Sequence, residues 1–258
     1  MKKALKLVLL SCITLWSLTG LTNQGLKIAK TMDAKDQNWH GQVSQVEMVL
    51  KNRHGQESRR KLKIKTLEVK GDGDKSITIF KSPKDVKGTA FLSHAHSKSE
   101  DDQWLFLPAL KRVKRISSNN KSGPFMGSEF AYEDISSQEV DKYTYEFIRN
   151  EKVGGSDGFV IARIPVGTNS GYTKQLLWGD KDHYRTHKIE FYDRKKSLLK
   201  TLTFHGYKEY KKGIWRASKY HMVNHQTGKS TELLWNDIAF QKNLKSRDFD
   251  KSVLKRVR

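Results

Sequence analysis

The chain is short of several things, and each shortage closes off a class of function. Cys12 is its only cysteine in 258 residues. It falls in a leader-like segment, so the remainder offers no disulfide, no thiolate nucleophile and no cysteine metal ligand. Four prolines and the absence of any Pro-rich or Gly/Ser-rich tract leave no visible linker between domains. There is no Gly-x-Ser-x-Gly elbow and no phosphate-cradling glycine loop, so no residue is assigned a catalytic role. The apolar run Leu7 to Leu18 is shorter than the roughly 20 residues that a membrane-spanning helix needs. Acidic residues are scarce too: 28 Asp and Glu stand against 49 Lys and Arg, a net charge of +21. Such an excess draws a protein to anionic surfaces, whether nucleic acid, phospholipid headgroups or acidic protein patches.

The N-terminus narrows that choice. Lys2, Lys3 and Lys6 precede the apolar run, and small or polar residues follow it, which is the pattern of a secretory signal. We read residues 1–20 as a signal peptide and 21–258 as one exported domain, periplasmic in location. Export excludes nucleic acid as a partner. A lipid-modified Cys12 is disfavoured, because Leu9-Leu10-Ser11-Cys12 would leave a very short apolar region before it.

Metal chemistry has little footing. His94-x-His96 stands near Glu100, Asp101 and Asp102, but at a strand end that runs into a polar turn, where solvated side chains are expected. Gly71-Asp72-Gly73-Asp74 resembles a calcium loop without the downstream glutamate, so it reads as a turn. No metal and no cofactor is expected.

What is abundant is strand grammar. Apolar positions at Leu26, Ile28, Ala29, Met32 and Trp39 predict one amphipathic helix over Leu26–Trp39. Period-two alternation then takes over: Val46, Met48, Leu50; Leu62, Ile64; Tyr143, Tyr145, Phe147; Phe159, Ile161; Leu202, Phe204. A phase slip at Leu67 and Val69 predicts a bulge. The count is roughly ten or eleven strands. An antiparallel sheet of that length curls, and curled around its apolar face it encloses a hydrophobic interior. The tail after Phe240 is basic and reads as a segment that frays.

The central stretch is the most specific. Gly88-Thr89-Ala90-Phe91-Leu92 and Trp104-Leu105-Phe106-Leu107 read as two strands, the second apolar on both faces and ended by Pro108. The basic run Lys111-Arg112-Val113-Lys114-Arg115 reads as a loop or a solvated strand edge. Phe125-Met126-Gly127-Ser128-Glu129-Phe130-Ala131-Tyr132-Glu133-Asp134 is a short aromatic segment, read either as a plug sealing the core or as a movable lid. The runs Gly88–Leu92, Trp104–Ile116 and Phe125–Asp134, in this order, resemble the LolA-like outer-membrane lipoprotein-sorting proteins, in particular the subgroup associated with RND/MMPL-type exporters.

The resemblance implies a mainly β, LolA/LolB-like fold: a single curved antiparallel sheet forming an incomplete, half-open barrel covered by a few helices. It implies a carrier of lipid or lipoprotein acyl chains, with no enzymatic activity. Inward residues of the curved sheet then become cavity liners: Met48, Leu50, Ile64, Phe91, Trp104, Phe106, Phe147, Phe159, Phe191 and Phe204. Phe125, Met126, Phe130 and Tyr132 become the lid. Arg59, Arg60, Lys111, Arg112, Lys114 and Arg115 become a basic surface for an anionic membrane or an acidic partner. The alternative is an accessory protein whose interior is self-filled and whose basic surface docks on an RND/MMPL-type exporter or the membrane.

Overall fold

The structure, a computed structural model, describes residues 20–256, so the expected signal segment and Cys12 lie outside the described residues apart from Gly20. Helix α1 covers residues 20–35. It starts earlier than the apolar pattern implies and stops before Trp39. Its Leu26, Ile28, Ala29 and Met32 face the core. Gly25 is required by a close approach: a Cβ there would sit 2.7 Å from the Glu146 carbonyl carbon.

Thirteen strands follow. They are β1 (Gly41–Lys51), β2 (Glu57–Leu67), β3 (Lys75–Ser82), β4 (Ala90–His94), β5 (Asp102–Leu107) and β6 (Arg112–Ile116), then β7 (Tyr143–Val153), β8 (Ser156–Pro165), β9 (Tyr172–Asp180) and β10 (Thr186–Asp193), then β11 (Leu198–Lys211), β12 (Ile214–Asn224) and β13 (Ser230–Phe240). They form one antiparallel sheet in the order β6-β5-β4-β3-β2-β1-β13-β12-β11-β10-β9-β8-β7. The two edge strands, β6 and β7, do not pair with each other, so the barrel stays open. The expected ten or eleven strands are corrected to thirteen. One of the additions is β6, the basic run, which pairs with β5 through Phe106↔Val113 and Trp104↔Arg115. Its exposed charges hide the strand from an alternation count. No bulge forms at Leu67 and Val69, because β2 simply ends there; its register shift falls between Lys61 and Leu62.

The sheet curls. Leu105 and Ile116 near one edge share a buried cluster with Tyr145 and Phe159 near the other, which a flat sheet of this width would forbid. The opposite, convex face carries a second cluster, Ile77, Ile79, Leu92 and Phe106, covered by Phe249 and Leu254, both 0% exposed. The C-terminal segment thus docks instead of fraying.

Every connection but one joins sheet neighbours, so the turns alternate between two rims. One rim holds the turns at 52–56, 83–89, 108–111, 166–171, 194–197 and 225–229. The other holds those at 68–74, 95–101, 154–155, 181–185 and 212–213. The exception is the 117–142 segment between β6 and β7, which crosses the concave face as a strap.

Candidate functional site

The strap is pinned from both sides of the sheet. Phe125 and Phe130 are buried, 1% and 2% exposed. The Phe125 ring lies 6.0 Å from Phe80, 5.2 Å from Phe91 and 5.5 Å from Tyr132. Around this aromatic knot the polar groups are paired. The Arg60 guanidinium donates to the Met126 carbonyl at 2.5 Å. Gln103 Nε2 donates to the Tyr132 carbonyl at 3.1 Å and to Ser136 Oγ at 2.8 Å. Thr231 Oγ1 accepts from the Glu129 amide, and Asn224 donates to the Glu129 carboxylate at 2.7 Å.

Two adjacent carboxylates carry the heaviest load. Glu133 accepts from the Ser170 hydroxyl at 2.7 Å and the Gly171 amide at 2.9 Å. Burial raises its pKa, against the pull of those donors. Asp134 pairs with Lys200 at 2.7 Å, with side chains only 5% and 4% exposed. It also accepts from Tyr172 Oη at 2.9 Å and the Ala131 amide at 2.7 Å. Both carboxylates are therefore strap anchors.

The strap covers the half of the concave face that lies toward the 52–56 rim. The other half, between strap and α1, holds a cavity of about 580 Å³ that opens at the 68–74 rim. That size falls within the roughly 300–1,000 Å³ of small-molecule sites. Its floor is apolar: Ile64, Ile189, Phe191, Leu202, Phe204 and Leu233. Its mouth is polar, with Asp36, Glu68, Asp74, Glu139 and Arg216. Arg216 is tied to Asp36 at 2.7 Å and to Gln42 at 3.0 Å. The indole N–H groups of Trp215 and Trp235, on the wall, are the two buried donors without an acceptor among the described residues.

The liners expected from alternation divide three ways. Ile64, Phe191 and Phe204 do line this cavity. Met48, Leu50, Phe91, Phe147 and Phe159 share the concave face, but they pack in the core beside it or under the strap. Trp104 and Phe106 are a correction: they point to the convex face and meet the C-terminal segment. Both faces of β5 are apolar, so alternation could not tell inside from outside. Of the lid residues, Phe130 lines the cavity.

The basic surface is corrected as well. Arg60 turns to the concave face and holds the strap. Arg59 pairs with Glu57 at 2.7 Å and Arg115 with Asp102 at 2.5 Å. Lys111, Arg112 and Lys114 remain exposed. The His94 and His96 rings diverge. His94 bonds the Phe249 carbonyl at 2.8 Å, and His96 bonds Asp72 at 2.8 Å.

Asp74 at the mouth escaped sequence reasoning, because only its burial sets it apart from the neighbouring turn acids. Desolvation, the largest influence, pushes its pKa up to about 7, opposed by a hydrogen bond from the Val69 amide. The folded form thus keeps its proton to higher pH than the unfolded chain does. The resulting stability is full below the unfolded value of about 3.9 and is lost as pH rises through about 7. Asp74→Asn should remove that dependence. Discounted for partial exposure, it should stabilise the protein by roughly 2 kcal/mol near pH 8 and change little near pH 4, as read from denaturation midpoints at the two pH values.

Comparison with known proteins bears on this architecture. A solved structure designated as an outer-membrane lipoprotein-sorting protein domain, from Vibrio parahaemolyticus, is 58% identical. The match covers 91% of this chain and 99% of that one, with a TM-score of 0.89. The chain belongs to the LolA-like outer-membrane lipoprotein-sorting family. A DUF1329 family protein from Desulfovibrio piger shares 30% identity over 91% of this chain and 99% of its own, with a TM-score of 0.84. A LolA superfamily protein from Nitrosomonas europaea shares the fold at 22% identity, covering 88% and 97% of the two chains with a TM-score of 0.70. A family model described as "Uncharacterized protein" matches residues 72–256. No curated protein matches. This LolA-like chain has an open sheet, with a helix and the strap over its concave side. Among the described residues no helix is long and apolar enough to cross a membrane.

Proposed function

We propose that the protein is a carrier. It is exported to the periplasm as residues 21–258, and it shelters acyl chains of a lipid or lipoprotein on their way toward the outer membrane. The observation that carries this reading is the apolar-floored hollow of about 580 Å³, open at one rim and bounded by α1 and the strap. Binding there is partition, with no bond made or broken. Each buried methylene contributes about 0.8 kcal/mol, so a chain of about ten offsets much of its extraction from a bilayer. Ligand oxygens reaching Trp215 or Trp235 would give those indoles the acceptor they lack. The name of the Vibrio relative agrees with such cargo.

The test is direct. Protein purified from cells should show co-purifying lipid by native mass spectrometry and should take up a fluorescent fatty-acid probe. Ile64 is half-buried on the cavity floor, so Ile64→Trp fills space without crowding a closed core. That variant should lose probe uptake at least tenfold while its melting temperature stays within a few degrees of wild type. A clean apo mass with no uptake would sink the carrier and favour an accessory protein on an RND/MMPL-type exporter.

A further inference from the structure

The meander sorts side chains between its two rims in a way that no single sequence run displays. The rim holding the turns at 52–56, 83–89, 108–111, 166–171, 194–197 and 225–229 is continuous. A Cβ on Gly228 would lie 3.5 Å from Arg53, Gln226 bonds Asp193 at 2.8 Å, and Arg194 bonds the Ser170 carbonyl at 3.3 Å. At the far end, a Cβ on Gly88 would lie 3.6 Å from Pro108.

Along its tips stand Lys84, Lys87, Lys111, Lys195, Lys196 and Lys229, all exposed, and none in an ion pair among the described residues. The exposed acid in these turns is Asp85. Two large aliphatic side chains project among the lysines: Leu110 at 62% exposure and Leu198 at 37%. Leu110 is held out by the Pro108–Leu110 turn, which ends on Lys111 with φ at 47°. The other rim is mixed in charge. Its turns carry Glu68, Asp72, Asp74, Glu100, Asp101 and Asp182 among Lys70, Lys98, Lys181, Arg185 and Lys212, and the cavity opens there.

We propose that the lysine-bearing rim is a docking edge for an anionic phospholipid surface. Lysines around projecting leucine tips match such a surface in two respects. The ammonium groups meet phosphate headgroups, and the aliphatic tips enter the acyl boundary. An acidic protein would be matched by the charges alone and would leave two bare aliphatic tips in water. The rim lies opposite the mouth. A docked molecule therefore holds its cavity away from the bilayer it rests on, and cargo passes through the mouth to or from a partner in solution. This inference rests on the two rims and not on what the cavity holds.

The exported chain, residues 21–258, should cosediment with vesicles of phosphatidylcholine and phosphatidylglycerol, but not with phosphatidylcholine alone, and salt should weaken the binding. Each cation near the surface contributes about fivefold in partition, so Lys111→Gln/Lys195→Gln/Lys196→Gln should bind about 100-fold more weakly. The control Lys70→Gln/Lys181→Gln/Lys212→Gln, on the opposite rim, should lose far less. Residues 21–258 carry no cysteine, so an environment-sensitive dye at Leu110→Cys should shift to the blue on vesicles, and the same dye at Asp182→Cys should not. Equal losses from the two triple variants, or a dye at residue 110 that never leaves water, would overturn the proposal and leave the lysines to an acidic protein partner. Ile64→Trp should bind vesicles as the wild type does, so failure here is distinct from failure of the carrier reading.

Discussion

Lys200→Met is expected to cost about 3–5 kcal/mol of folding stability, because it strips a buried carboxylate of its counter-charge. Lys200 and Asp134 meet at 2.7 Å with 4% and 5% of their side chains exposed. The ammonium also donates to the Glu129 carbonyl at 2.9 Å and lies 5.1 Å from the Tyr172 ring and 5.3 Å from Phe191. In the variant, Asp134 keeps the Tyr172 hydroxyl and the Ala131 amide but faces a thioether where a cation stood. Two results should follow. The urea midpoint falls, and protease cleavage within 117–142 accelerates, since this pair ties the strap to β11. Adding Asp134→Asn removes the stranded charge and should restore at least about 1.5 kcal/mol. If the double variant is no more stable than Lys200→Met alone, the ion pair is not what holds the strap.

The second large effect is hydrophobic. Phe125→Ala should cost about 3–5 kcal/mol, the range for emptying a phenylalanine site in a closed core. The ring is 1% exposed and touches Phe80, Phe91 and Tyr132. Each of those neighbours sits on a different element, or on the strap itself, so the void cannot be filled by one side chain turning. Phe125→Leu, which keeps most of the volume, should recover more than half of the loss. Chemical denaturation of the two variants side by side measures this. A loss under about 1 kcal/mol for the alanine variant would mean that the strap already hangs loose in solution.

Much of the architecture was legible because it rests on local signals. Strand alternation at Val46–Leu50 and Tyr143–Phe147, the turn at Gly71-Asp72-Gly73-Asp74 and the apolar face of α1 each appear within a few residues. Inside and outside became illegible where both strand faces are covered. Trp104 and Phe106 looked like cavity liners because nothing nearby in sequence shows that Phe249 and Leu254 return to cover the convex face. Arg60 was grouped with Arg59 by adjacency, yet neighbours on a strand point to opposite faces, and the concave face gave Arg60 a carbonyl to bind. The strap anchors were hidden for a related reason. Glu133 and Asp134 find Ser170, Tyr172 and Lys200 from 37 to 66 residues away, and no spacing rule announces such pairs. The chemistry of the aromatic strap was plain; its tethering was not.

The unpaired edges of the sheet have a mechanical consequence. A closed barrel fixes its girth through strand number and shear, and it can widen only by breaking a ladder. Here β6 and β7 face one another across a seam bridged by side chains such as Lys142 and Asp101, and by the strap. Spreading that seam stretches ion pairs and van der Waals contacts while the twelve strand-to-strand ladders remain whole. The hollow is therefore elastic in cross-section, a property that the proposed carrier would use to accept hydrocarbon tails of unequal number and bulk.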